Sequence, residues 1–162
     1  GMTMFRSIRT KQNELPEAGA KALLRSARRG ALAVLGDGGY PYAVPVNYRY
    51  DEDAGRIYFH GARAGHKAEA IRACGKVCFT VYGNERIPED EPWAPFVQSA
   101  VAFGQCRPVE DGAENLRQLK AFAMKYYPSE GLADREIASS GAAAQMYVIE
   151  IRHLSGKEVQ EK

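Results

Sequence analysis

The sequence predicts a mainly β protein with peripheral α-helices, in which an antiparallel sheet closes into a barrel. About six segments of strand length are apolar or alternate between apolar and polar residues, and turns rich in glycine and aspartate separate them. Three helical segments are interspersed with these strands, and the first of them precedes the first strand. Short turns join antiparallel strands, whereas parallel strands need long crossovers, so a doubly wound parallel sheet is not expected. An antiparallel barrel with helices on its outside fits this order of elements.

Length and composition indicate one globular domain. The chain has 162 residues, of which 45% are hydrophobic and 26% are charged. We expect an N-terminal arm over residues 1–13, a single domain over residues 14–158 and a polar tail over residues 159–162. Gly1 precedes Met2 and is interpreted as a residue left by cloning.

The cysteine content favours a cytoplasmic protein, and the charge gives no sign of a nucleic-acid or membrane partner. The net charge of +2 has no dominant sign, so binding to nucleic acid is not expected. No apolar run approaches the roughly 18 residues that span a bilayer, and the N-terminus lacks a secretory signal, so no membrane partner is expected. Cys74, Cys78 and Cys106 are odd in number and form no CxxC pair, which predicts reduced thiols and no metal site.

The first half of the chain predicts one helix followed by three strands. Pro16 suits a first helical turn, apolar residues recur on one face, and Gly30 ends the helix after two arginines. Strands are expected at residues 31–35, 42–50 and 56–60, separated by turns at residues 36–39 and 51–55. Pro45 cannot donate to a central ladder and so predicts a sheet edge, a bulge or a binding position.

The second half alternates helices and strands. A helix is expected at residues 65–74, a strand at 76–82, a long loop at 83–98 and a strand at 99–109 with a bulge at Gly104. Asp111 and Glu114 have capping-box spacing before a helix that runs to about Tyr127. Residues 129–144 are small and polar and leave room for one short helix. A last strand is expected at residues 146–152, and a polar segment follows from Leu154.

Two glycine-containing motifs are interpreted as ordinary turns. The Gly36-x-Gly38 pair follows a strand, but another strand comes next, whereas a dinucleotide-binding loop needs a helix there. The Asp51-x-Asp53-x-Gly55 sequence resembles a calcium loop but lacks the remaining acidic ligands.

One turn collects cations where a strand gives way to a helix. Arg63, His66 and Lys67 gather at the start of the predicted helix, where free backbone N–H groups and the helix dipole already favour an anion. Two fixed cations and an imidazole would suit a phosphate dianion. A solvated basic turn is the alternative interpretation, and the residues alone leave both open.

A wider pattern resembles the FMN-binding split-barrel family related to pyridoxamine 5′-phosphate oxidase. The resemblance is carried by Pro41-Tyr42-Ala43-Val44-Pro45-Val46-Asn47-Tyr48, by Ile57-Tyr58-Phe59-His60-Gly61-Ala62-x-x-Gly65-x-Lys67, by Ser99-Ala100-Val101-Ala102-Phe103-Gly104 and by Ser155-Gly156-Lys157. It covers about residues 15–158 and is strongest with the branch that includes the nitroimidazole-resistance proteins. One departure is Ala100, which stands where the family pattern places a valine directly after the serine.

The resemblance implies a set of site residues. Residues 44–48 would lie along the isoalloxazine and offer backbone groups to its pyrimidine edge, and Lys67 would take the phosphate. His60 matches a histidine of the nitroimidazole-resistance branch and is the candidate catalytic residue; its alternative role is a hydrogen bond to a neighbouring loop. The residues expected to bind the cofactor are Pro45, Val46, Asn47, Tyr48, Phe59, His60, Arg63, His66, Lys67 and Ser99.

The implied function is that of an FMN-dependent oxidoreductase acting on a small organic electrophile, as in nitroimidazole reduction. Oxidation of a pyridoxamine-type phosphate is disfavoured, because Gly65-His66-Lys67 stands where those oxidases carry Ser-Arg-Lys. A flavin-binding or haem-binding protein without turnover is a further alternative. The family also implies a homodimer with the flavin at its interface. Trp93, on a proline-rich segment, is expected either at that interface or as a cover over the barrel end.

Overall fold

The computed structural model describes residues 4–162. The first three residues of the expected N-terminal arm, including Gly1, lie outside the described part. The division into arm, domain and tail remains a prediction.

Seven strands and four α-helices follow one another within residues 4–162. The strands are β1 Arg29–Leu35, β2 Pro41–Asn47, β3 Arg49–Asp51, β4 Arg56–Gly61, β5 Lys76–Arg86, β6 Phe96–Pro108 and β7 Gln145–Gln160. The helices are α1 Glu17–Ser26, α2 His66–Ala73, α3 Gly112–Tyr126 and α4 Glu130–Ser140. Short 3-10 turns lie at Lys11–Asn13, Asp37–Gly39 and Gly141–Ala143. None of the helices within residues 4–162 has both the length and the apolar character needed to span a membrane.

All strands belong to one antiparallel sheet, and this confirms the predicted fold class. Their order is β2-β1-β5-β6-β7-β4-β3. The sheet curls until β2 approaches β4 without pairing to it, so the barrel is split along this line. Among the described residues β2 pairs with β1 alone, which makes it an edge strand and explains how Pro45 is accommodated.

The barrel interior is filled by alternate residues of its strands. On β5 the side chains of Val77, Phe79 and Val81 are buried, whereas the residues between them face outward. A second, smaller cluster lies outside the sheet, where Leu119 and Phe122 of α3 pack on residues of β4 and β7. The sheet therefore carries a core on both faces where α3 covers it, and this brings α3 close to His60.

Three predicted boundaries are wrong near the N-terminal half of the sheet. The first helix ends at Ser26 rather than Arg29, because Ala27 is already extended and β1 begins at Arg29. The predicted strand at residues 42–50 breaks at Tyr48, whose side chain is fully buried under α1. The predicted loop at residues 83–98 is shorter, because β5 and β6 extend into it as a long hairpin.

The C-terminal half was predicted less well. Residues 130–140 form the full helix α4, with Ser129 as its N-cap. The last strand does not end at Arg152 but continues to Gln160, because it pairs with β6 along its whole length. The bulge at Gly104 is confirmed, since the β6–β7 register shifts between Phe103 and Gly104. A Cβ on Gly104 would lie 2.4 Å from the carbonyl oxygen of Glu150, so the close approach of these strands requires glycine.

Only one half of the capping box predicted at the start of α3 forms. The Asp111 carboxylate accepts hydrogen bonds from the backbone N–H groups of Ala113 and Glu114. The Glu114 side chain does not reach back to complete a capping box, because it binds Arg117 and Gln118 instead.

Candidate functional site

A lysine-lined cavity lies at the split, where β4 passes into α2. It has a volume of about 260 Å³. Its lining residues come from β2, from the turn after β4 and from the first turn of α2, and they are Tyr42, Val44, Pro45, Ala62, Ala64, Gly65, His66, Lys67 and Ala68. We call it the Lys67 cavity.

Two glycines allow Lys67 to occupy this position. Gly65 has a φ of 110°, a left-handed conformation that L side chains rarely adopt, and α2 begins directly after it. A Cβ on Gly61 would lie 3.1 Å from Lys67 Nζ, so a larger residue there would crowd the ammonium group. The chain thus makes room for a lysine on the first turn of a helix, where unpaired backbone N–H groups also collect.

The Lys67 ammonium is half-buried and has no carboxylate within ion-pair distance among residues 4–162. Its Nζ lies 5.7 Å from the centre of the Phe59 ring, whose side chain is fully buried. Burial lowers the pKa of Lys67. A partly desolvated cation without an acidic partner gains free energy when an anion binds beside it.

His66 lines the same cavity, and contacts with Tyr42 and Asp37 fix the position of its ring. It stacks on Tyr42 with ring centres 4.1 Å apart, and its Nε2 accepts a hydrogen bond from the backbone N–H of Asp37 over 3.1 Å. An accepting Nε2 carries no proton, so the proton of the neutral ring is on Nδ1. The turn at Asp37–Gly39 therefore positions the imidazole beside the start of α2.

Arg63 is directed away from the Lys67 cavity. Its guanidinium donates hydrogen bonds to Gln145 Oε1 over 2.6 Å and to the carbonyl of Ala142 over 3.1 Å. Of the cations predicted to surround a phosphate, the structure thus brings Lys67 and the His66 ring together and places Arg63 on the neighbouring turn.

His60 opens into a second cavity, on the opposite face of β4 from Phe59. This His60 cavity has a volume of about 190 Å³. Apolar side chains of α3 and α4 form most of its wall, and its lining residues are Asn47, His60, Leu119, Phe122, Ala123, Tyr126, Tyr127, Glu136, Ile137, Ser140, Gly141 and Ala144. Its size is close to that of a cavity that accepts one benzene ring, about 150 Å³.

The His60 imidazole is neutral and available. Its ring centre lies 4.9 Å from that of Phe122 in a tilted arrangement. Burial, and then the charge of Lys67, lower the pKa of His60, so the ring carries no charge at neutral pH. Within residues 4–162 neither His60 nor the Asn47 carboxamide has a side-chain hydrogen-bond partner. A ligand in this cavity would find a donor and an acceptor on one side and apolar surface on the other.

The segment from Pro45 to Tyr48 runs between the two cavities. Pro45 lines the Lys67 cavity and Asn47 lines the His60 cavity, whereas the Val46 side chain packs in the barrel core. Tyr48 is fully buried, and its hydroxyl donates to the carbonyl of Leu24. Along the predicted segment, Pro45 and Asn47 therefore line the cavities, whereas Val46 and Tyr48 pack in the barrel core.

Helix α3 holds this segment through two residues that sequence reasoning missed. Tyr126 Oη lies 2.8 Å from both the N–H and the C=O of Tyr48, and Lys125 Nζ donates to the same carbonyl over 2.9 Å. Burial lowers the pKa of Lys125 to about 8. One feature of the sequence points to these contacts, the cluster Lys125-Tyr126-Tyr127 just before Pro128 at a helix end. The polar groups at the ends of such side chains can reach free backbone groups.

Ser99 lies in neither cavity. It is on the outward face of β6, paired with Tyr82 of β5 and Lys157 of β7. Cys78 and Tyr82 share this outward face. No group of three or more metal-binding side chains comes together anywhere in residues 4–162.

Comparison with known proteins agrees with this architecture. The family model described as pyridoxamine 5′-phosphate oxidase matches residues 16–158. No curated protein matches the chain.

Solved structures share the fold, among them the following three. A candidate 5-nitroimidazole antibiotic resistance protein from Bacteroides thetaiotaomicron is 17% identical, with a TM-score of 0.74 over 91% of this chain and 87% of that one. The flavocytochrome Anf3 from Azotobacter vinelandii is 19% identical, with a TM-score of 0.73 over 93% of this chain and 71% of that one. An FAD-binding protein from Mesorhizobium loti is 21% identical, with a TM-score of 0.63 over 90% of this chain and 96% of that one. At these identities the likeness establishes the fold alone.

Proposed function

The chain belongs to the pyridoxamine 5′-phosphate oxidase family, and from that membership we propose that it binds FMN at the split of the barrel and acts as an FMN-dependent oxidoreductase on a small organic electrophile. The observation that carries the proposal is the half-buried Lys67 ammonium, which has no acidic partner in residues 4–162 and stands at the start of α2. This arrangement suits a phosphate dianion, because a fixed cation and free N–H groups converge on one cavity.

The two cavities would bind the two ends of one FMN molecule. The phosphate would sit in the Lys67 cavity, and the ring would lie along Pro45 and Asn47 at the unpaired edge of β2 toward His60. A flat amphipathic ring suits apolar strand surface with a few fixed polar groups at its edge. Bound FMN would supply the redox chemistry, while the chain supplies binding, orientation and protection from water.

His60 would act beside the ring as the residue that influences reactivity. A neutral imidazole can donate a proton from one nitrogen and accept one at the other. The His60 cavity, at about 190 Å³, has room for a single-ring substrate beside that imidazole. A nitroimidazole-like compound has this size and an acceptor group that His60 or Asn47 could bind.

A homodimer would bring Ser99 to the flavin of the partner. Ser99 lies outside both cavities of its own chain but on an outward sheet face that continues to Tyr82, which is 77% exposed. Trp93, which is 71% exposed on the loop between β5 and β6, stands at the end of the same hairpin. Exposed aromatic side chains next to small sheet residues are typical of an interface. A cytoplasmic location is proposed with the dimer, because all three cysteines are free thiols.

Absorption spectroscopy tests the proposal directly. The purified chain, mixed with excess FMN and then desalted, is expected to keep one flavin per chain, with bands shifted from those of free FMN. Adding a chemical reductant and then a nitroaromatic acceptor should restore the oxidised spectrum faster than free FMN does. A chain that keeps no flavin would overturn the cofactor, and a chain that keeps flavin but adds nothing to the rate would be a binder without turnover.

A further inference from the structure

A third hollow lies at the other end of the β5–β6 hairpin, under the N-terminal arm. It has a volume of about 490 Å³ and shares no lining residue with the Lys67 and His60 cavities. Its lining residues come from the arm and from three neighbouring strands, and they are Met4, Phe5, Lys76, Val77, Phe103, Gly104, Gln105 and Arg152. Its volume falls within the range of small-molecule sites, about 300–1,000 Å³.

One wall of this arm hollow is apolar and aromatic. The Phe5 ring stacks on Phe103 at 5.3 Å and on His153 at 5.2 Å, which fixes the arm on the sheet. Met4, the next residue of the arm, is 82% exposed although it faces the hollow. A flat apolar group placed here would cover surface that is now in water.

The rim opposite this wall is positively charged, because strand pairing places several cationic side chains in one row. Arg56, Glu150, Gln105 and Lys76 are successive cross-strand partners on four adjacent strands. The register shift opposite Gly104 adds Arg152 to this row. The rim of the hollow thus carries the cations of Lys76 and Arg152, with one amide between them.

The single acid of this row is shared by too many cations to neutralise them. The Glu150 carboxylate lies 3.0 Å from Arg56, 3.4 Å from Arg107 and 3.6 Å from Arg152. Lys76 has no acidic partner within the described part of the chain. The row is therefore left with an excess of positive charge beside an apolar wall.

We propose that the arm hollow is a binding site for an aromatic anion, a flat ring that carries a sulfonate, carboxylate or phosphate group. The ring lies against Phe5, Phe103 and Val77, and the anion binds Lys76 and Arg152. A neutral ring would leave Lys76 without an acidic partner and Arg152 sharing Glu150 with two other cations. A small anion would leave the apolar wall in water, so only the combined ligand uses both halves. None of its lining residues belongs to the two cavities assigned to the cofactor.

Calorimetric titration of the full chain, saturated with FMN, tests this site. The probes are naphthalene-2-sulfonate, the neutral ring 2-naphthol and the ringless anion methanesulfonate. Naphthalene-2-sulfonate is expected to bind at least about tenfold more tightly than either of the others, because each of them lacks one half of the recognition. Equal affinities for the sulfonate and for 2-naphthol, or no measurable binding of the sulfonate, would overturn the proposal.

Variants locate the binding. Lys76→Ala and Phe5→Ala should each weaken naphthalene-2-sulfonate binding by about tenfold, because one removes a charged contact and the other an aromatic wall of the hollow. Arg135→Ala, which removes an exposed cation on α4, should leave the affinity unchanged. Lys67→Ala should also leave it unchanged, and a loss of binding in that variant would place the sulfonate in the Lys67 cavity and contradict the assignment.

Discussion

The Lys67 ammonium lies 5.7 Å from the centre of the buried Phe59 ring and has no carboxylate beside it in residues 4–162. Consecutive strand residues explain the geometry, because Phe59 faces the barrel while His60 faces α3. The phosphate and the reactive end of a bound flavin would thus meet opposite faces of one strand.

Replacing Lys67 by alanine should weaken FMN binding without unfolding the chain. Loss of a charged hydrogen bond costs about 1.5–3 kcal/mol, which corresponds to a dissociation constant about tenfold higher or more. Fluorescence titration of FMN measures the change. Arg72→Ala is the matched control, since Arg72 is an exposed cation on the same helix that does not line the cavity. An unchanged affinity in Lys67→Ala would remove Lys67 from the site.

With FMN bound, the chain should be a homodimer. Light scattering should give about twice 17.8 kDa, the mass of one chain. Tyr82→Arg, on the outward sheet face, should shift the mass toward one chain, whereas Tyr40→Arg should not, although both tyrosines are almost equally exposed at 77% and 78%. A mass of one chain in saturating FMN would rule the dimer out. A monomer in the flavin-free protein alone is compatible with it, because ligand binding and association are coupled.

Replacing His60 by alanine should slow reoxidation of the reduced flavin by nitro compounds while leaving FMN affinity and melting temperature nearly unchanged. The imidazole is exposed at one edge and has no hydrogen-bond partner in residues 4–162, so its removal costs little stability. Stopped-flow absorbance measures the rates, with His153→Ala as a control outside both cavities. A melting temperature lowered by several degrees, with rates within about twofold of the wild type, would make His60 a structural residue.

Lys125 should make the stability of the fold depend on pH in the alkaline range. Burial lowers the pKa of Lys125 from 10.5 in the unfolded chain to about 8 in the folded one. Between these values the unfolded chain binds more protons, so the free energy of unfolding rises with pH across this window. Urea unfolding of the wild type and of Lys125→Met should therefore differ by an amount that grows from about pH 8 to about pH 10.5. A difference that stays constant with pH would contradict the assigned pKa.

The Lys67 side of the site could be predicted because its determinants are local. A strand that ends at Gly61, a turn that ends at Gly65 and a helix all lie within residues 56–73, and each element follows from its own pattern. The direction of Arg63 could not be predicted. Its acceptor, Gln145, is 82 residues away along the chain, and no local pattern reports such a partner.

The lengths of helix α4 and of the last strand were underestimated for related reasons. Ala133 is the one buried residue of α4, so the helix has no apolar stripe that a sequence window could detect. Residues 153–160 are largely polar, and they form a strand because β6 supplies a partner for each of them. In both places tertiary contact determines the structure.

The position of β7 also bears on how the barrel forms during synthesis. Strands β2, β1, β5 and β6 can pair as they emerge, and β3 can pair with β4, but only β7 joins these two groups. Because β7 leaves the ribosome after every other strand, the nascent chain must keep two incomplete sheets with open edges until then. Long-range pairing of this kind folds slowly and exposes strand edges to other chains. We expect the interval before β7 emerges to be the stage at which chaperones matter most to this protein.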